Sequence, residues 1–170
     1  NIERVEVLDG SAARTIGAGA FTGAVNMVTR RAIKPAIAAS ITGGEHGLLR
    51  SHIHASFAKD PLGIWVSAGK VFSDGDAANT DVDLRNAYLR AGYSEGQTMG
   101  DVQAGFQDKK FGAAGFYSPR FPNQYEETAL WFASIRASAG NKVRVSPVAY
   151  WRHRSDHFLL DRNNPSFYQN

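Results

Sequence analysis

Residues 86–107 read NAYLRAGYSEGQTMGDVQAGFQ. Before the glycine of "SEGQ" (94–97), Ala87, Leu89, Ala91 and Tyr93 fall on one parity and Asn86, Tyr88, Arg90 and Gly92 on the other. After it, Val102, Ala104 and Phe106 oppose Asp101, Gln103, Gly105 and Gln107. A period of two sends successive side chains to opposite faces of a strand. Two such runs around a tight turn predict an antiparallel hairpin with one apolar and one polar face.

The same pattern extends in both directions. In 49–57, Leu49, Ile53, Ala55 and Phe57 oppose Arg50, His52, His54 and Ser56. In 131–138, Trp131, Ala133, Ile135 and Ala137 oppose Phe132, Ser134, Arg136 and Ser138. Seven strands are expected, near 33–43, 48–58, 62–73, 82–94, 98–108, 125–139 and 142–154. Pro147 removes a ladder donor from the last, which predicts a bulge there or a later start. Ahead of these, residues 2–8 and 24–29 read as two more strands. Asp9-Gly10 marks a turn, 11–14 one helical turn, and "RRAIKP" (30–35) a basic connector.

Connection lengths carry a second signal. "KDPLG" (59–63), "SEGQ" (94–97) and "AGNK" (139–142) are short, whereas 73–81, 109–126 and the stretch from Ser155 are long. Only "GEHG" (44–47) departs, being short at the long end. A soluble antiparallel sandwich explains the alternation but has no reason to sort its turns. An outer-membrane barrel does, with short turns at one end, long loops at the other, lipid outside and a polar lumen. The mean hydropathy of −0.32 fits, because only one face of each strand need be apolar.

Composition narrows the classes further. Of 170 residues, 43% are hydrophobic and 11% aromatic, with 17 glycines, which favours strands and turns. The net charge of +3 is dispersed, so a nucleic-acid partner is not indicated. With no cysteines, disulfides and thiolate metal sites are excluded. No stretch approaches the roughly 20 apolar residues of a spanning helix, and no secretory leader opens the sequence. The start without methionine reads as an excerpt of a longer chain. Gly17, Gly19 and Gly23 do not give the GxGxxG spacing and precede a strand, which excludes a dinucleotide loop. No nucleophile–base pair stands out, and an enzyme is not expected.

The opening "IERVEVLDGSAARTIGAGAFTGAVNMVTR" resembles the end of the plug domain of TonB-dependent outer-membrane receptors. There a strand of type I-E-R-I-E-V-L meets a glycine turn, and a Y-G-x-x-A-x-x-G-x-x-N-I-x-T-K/R segment closes the plug. The residues carrying the resemblance are Ile2, Glu3, Arg4, Glu6, Val7, Leu8, Gly10, Gly17, Ala20, Gly23, Asn26, Thr29 and Arg30. Gly19 adds to the turn. Ser11, Ile16 and Asp9 depart from a common proline, tyrosine and basic residue. The resemblance implies an all-β fold: 1–31 as the C-terminal part of the plug, and 32–170 as the first strands of a barrel of roughly 22 strands. It implies energy-coupled uptake of a scarce nutrient, through a coupling partner of the TonB type acting on a segment absent here. "SDGDAANTDVDLRNAYLRAGY", "FGAAGFYSPRFPNQYEET" and "YWRHRSDHF" look most like the cobalamin-receptor branch. Ferric siderophore and haem receptors share the scaffold. An open seven-strand piece is expected to aggregate when isolated.

Candidate sites lie in the long connections. Asp74, Asp76, Asp81 and Asp83 supply oxygens suited to Ca²⁺, or form a solvated acidic loop. Cobalamin receptors order outer loops with calcium. Phe116, Tyr117, Arg120, Phe121 and Tyr125 could anchor a ligand, or pack the loop on itself. His52 and His54 share a face, read as lumen lining, and the same reading covers His153 and His157. Trp65, Tyr93, Trp131 and Trp151 read as an interfacial aromatic girdle.

Overall fold

The computed structural model describes residues 2–10, 23–29, 32 and 34–170. The chain divides into two compact units, Asn1–Arg31 and Ala32–Asn170. In the first, β1 (Ile2–Asp9) pairs antiparallel with β2 (Gly23–Thr29). Gly10 turns the chain out of β1 at φ 88°, where a side chain would be strained. Gly23 lies so close to Leu8 that an added Cβ would stand 2.8 Å from its carbonyl oxygen. Asn26 donates to Glu6 (2.8 Å), which also accepts from Arg4 (2.7 Å). Gly17, Gly19 and the expected helical turn lie outside the described residues.

The second unit is a seven-stranded antiparallel sheet whose spatial order is its sequence order. Its strands are β3 (Ala36–Gly43), β4 (Leu49–Lys59), β5 (Leu62–Ser73), β6 (Val82–Glu95), β7 (Thr98–Gly112), β8 (Tyr125–Ser138) and β9 (Val148–Leu159). The protein is therefore all-β in its described residues.

Two bounds differ from expectation. β7 continues past Asp108, because Lys109 and Lys110, which end the apolar parity, still pair with Thr128 and Glu127. β9 begins at Val148 rather than near 142. Pro147 stands just ahead of it, where a missing N–H costs no ladder bond, and its carbonyl accepts from the Ala137 amide (3.1 Å). The expected tight turn at 139–142 is instead a wider connection, 139–147, closed by an Ala139–Val145 bridge. The ends remain sorted. Connections 60–61, 96–97 and 139–147 are each shorter than the one before them at the other end, 44–48, 74–81 and 113–124.

Register assigns the faces, since directly paired residues point the same way. One row runs Ile37, Ala55, Val66, Leu89, Ala104, Ala133, Trp151 across all seven strands. The row toward the short turns runs Phe57, Ile64, Ala91, Val102, Ile135, Ala149. Toward the long connections the same face turns charged: Lys70, Arg85 and Asp108 stand in one row, Asp83, Lys110 and Glu127 in the next. The opposite face carries His54, Ser67, Tyr88 and Gly105 in one row and Trp65, Arg90 and Gln103 in another. The Phe132 ring fills the space a side chain at Gly105 would take.

Burial on these faces is inverted relative to a water-soluble sheet. The apolar rows are open, with Leu89 40%, Val102 43% and Ile135 55% exposed. The polar face holds most of the buried strand residues, among them Trp65, Ser67, Arg90, Glu126 and Thr128.

Candidate functional site

The middle of the polar face is a connected set of hydrogen bonds. Arg90 Nε donates to Asp101 Oδ2 (2.7 Å), Gln103 Nε2 to Asp101 Oδ1 (2.6 Å), and the Tyr88 hydroxyl to Gln103 Oε1 (2.8 Å). His52 and His54 share this face, and the His54 ring stacks on Trp65 at 4.5 Å. Trp65 is thus no part of an aromatic girdle; it is buried among polar residues. Tyr93, Trp131 and Trp151 do lie on the apolar face. His153 and His157 share it too, paired with Trp131 and Glu127.

At the long-connection end the loops are tied to one another. Asp74 N donates to His46 O (2.8 Å), joining 44–48 to 74–81. Asn79, at φ 57°, donates through Nδ2 to the carbonyls of Pro122 (2.8 Å) and Gln124 (2.7 Å). Arg162 donates to Asn79 Oδ1 (2.9 Å) and to Asp81 Oδ1, and its guanidinium stands 4.3 Å from the centre of the Tyr125 ring.

The four loop aspartates are not drawn onto a common point. Asp81 faces Arg162. Asp83 faces Arg85 (3.2 Å) and Lys70 (3.9 Å). Asp76 accepts from Thr80 (3.4 Å), and Asp74 lies against Gly47. Among the described residues no three His, Cys, Asp or Glu converge to hold a metal ion. This donor set does not fit Ca²⁺, which takes six to eight oxygens, because its best-placed carboxylates already face cations.

The five aromatic and arginine candidates divide as well. Tyr117 turns toward the polar face: its hydroxyl donates to Glu126 Oε2, and its ring meets Phe158 edge-on at 5.4 Å. Phe116 packs edge-on against Tyr117 (4.8 Å). Arg120 and Phe121 hydrogen-bond through their amides to Ser118, apart from this group. Tyr125 has the opposite parity and lies beneath Arg162.

Tyr117, Gln124, Glu126, Arg154, Asp156, Phe158 and Leu160 line a recess of about 460 Å³ on the polar side. The Thr128 hydroxyl lies 3.0 Å from both Glu126 Oε1 and Asp156 Oδ1, and its single proton serves one carboxylate at a time. Arg154 Nε stands 2.8 Å from Asp156, and Lys109 Nζ 4.0 Å from Glu126. Two carboxylates therefore face two cations, beside the packed rings of Tyr117 and Phe158. The hydrogen bond to Glu126, with some burial, holds the Tyr117 phenol above the ordinary tyrosine range, so it stays a donor further into alkaline pH.

No family model matches the chain, and no curated protein matches it. The recess presents acceptors, donors and an apolar wall. Of its lining, the sequence reading found only Tyr117. Glu126 with Thr128 and Arg154 with Asp156 repeat the two-residue period on adjacent strands, and that was the available signal.

Proposed function

We propose that this chain is part of a plugged outer-membrane β-barrel, a TonB-dependent receptor that takes up a scarce nutrient, a cobalamin-like ligand being favoured. The observation that carries the barrel reading is the inverted burial: an open apolar face backed by a covered polar one. In water such a face would drive association; against lipid tails it is at rest, while antiparallel pairing satisfies the backbone. Strands β5 to β9 run 12 to 15 residues, beyond the roughly 9–11 a tilted spanning strand needs. Support also comes from Gln169, which pairs with Leu159 on the free side of β9, the direction a continuing meander takes.

The receptor reading rests on the resemblance of residues 1–30. On it, 1–31 closes the plug, the long connections face the outside, and the recess beneath 113–124 contributes to ligand capture. A coupling partner driven by the inner-membrane proton gradient rearranges the plug, and the barrel performs no chemistry.

The test is a titration of the full-length protein in detergent with cyanocobalamin and a ferric siderophore panel. Tight cobalamin binding by a barrel of heat-modifiable mobility supports the whole reading. Siderophore binding instead retains the receptor and replaces its ligand. A protein that is monodisperse in water without detergent overturns the barrel and restores the soluble sandwich.

A further inference from the structure

We propose that Arg162 is the resident cation of the long-connection end, ordering 74–81, 113–124 and 160–170 as one body without a bound metal ion. Four contacts make the case. Its Nη1 donates to Asn79 Oδ1 (2.9 Å) and Asp81 Oδ1, both in the first connection. Its backbone amide donates to Asn123 O (2.9 Å) in the second, while Arg162 itself belongs to the third. Its guanidinium lies 4.3 Å from the Tyr125 ring centre, within cation–π range.

Asn79 carries the effect inward. Its side-chain oxygen accepts from Arg162, and its Nδ2 hydrogens go to the Pro122 and Gln124 carbonyls. Gln124, only 1% exposed, in turn accepts from the Tyr117 amide through Oε1 (3.2 Å). Arg162 thereby acts as a positioning residue for Tyr117 and the recess, which it does not itself line.

A divalent ion at this place would need the Asp81 and Asn79 oxygens. Both face a guanidinium that stays charged at every working pH and fits two acceptors in one plane. A lysine has a compact charge on a flexible stem and cannot reproduce both contacts with the stacking.

These 170 residues hold no cysteine, so Ala78→Cys with Pro119→Cys, in a full-length protein with any cysteine elsewhere replaced, gives a unique spin-label pair in the first and second of the tied connections. Pulsed electron paramagnetic resonance on the full-length protein in detergent then reads their separation. A narrow distribution unchanged by EDTA is expected. Arg162→Ala should broaden it and speed protease cleavage within 113–124 about tenfold, and Arg162→Lys should fall between. If Arg162→Ala is not recovered folded, Asp81→Asn removes the charge partner alone and should broaden the distribution partially. Broadening of the parent by EDTA to the width of the variant overturns the proposal, as does a variant distribution as narrow as the parent's. The readout uses no ligand, so it stands apart from the transport reading.

Discussion

The two faces of the seven-stranded sheet obey opposite rules. On one, Leu89, Val102 and Ile135 stand open with no layer described over them. On the other, Arg90 is buried and engaged by Asp101, which Gln103 also holds. In a protein made for water the apolar side would be the covered one. The difference teaches that alternation alone does not say which face is inside; exposure of the apolar rows does.

The comparison breaks most easily on the open face. Ala104→Arg, in the centre of the apolar band, should cost about 2–4 kcal/mol if lipid covers it, and near zero if water does. Gln107→Arg, on the polar face of the same strand, should cost under about 1 kcal/mol. Urea titration of the folded fraction in detergent or vesicles separates the two.

A smaller effect is expected on the covered face. Arg90→Ala leaves Asp101 without its nearest cation and should cost about 2–3 kcal/mol. Adding Asp101→Asn should recover a substantial part of the loss, as a double-mutant cycle would reveal. Full additivity would mean the pair is not coupled.

At the loop end the expected changes are local. Asn79→Ala removes three hydrogen bonds at a positive φ and should lower local stability by about 1–2 kcal/mol, while Asn79→Gly keeps the backbone and should cost less. Amide exchange across 113–124 measures both. The smallest effect is a pH dependence. Tyr117 has its phenol raised in the folded protein, so its contribution is fully present below the unfolded tyrosine value of about 10. It is lost as pH rises through the folded value. Phenolate absorbance should show late-titrating tyrosines, and one fewer of them in Tyr117→Phe.

The strands were legible because alternation is a local signal. Residues 62–73 match β5 at both ends, and both parities of 101–107 fall on the faces read for them. Boundaries failed where a local rule met a longer-range partner: Lys109 and Lys110 look like a loop until β8 pairs with them. "AGNK" looks like a turn until Val145 folds back on Ala139. The acidic loop was read without its cation for the same reason. Asp81 lies far along the chain from Arg162, and no spacing rule within 74–83 could supply that cation. Trp65 was assigned by residue type, whereas its parity within β5, shared with Ser67 and opposed to Ile64 and Val66, already placed it on the other face.

One feature bears on how this protein comes into being. Every strand of the second unit pairs only with its neighbours in sequence, so each new strand finds its template already made by the strand before it. The connections closed at each step span at most 12 residues, and loop-closure entropy grows only slowly with length. Pairing can thus spread strand by strand between the rims at β3 and β9, and Gln169 is laid against the outer side of β9.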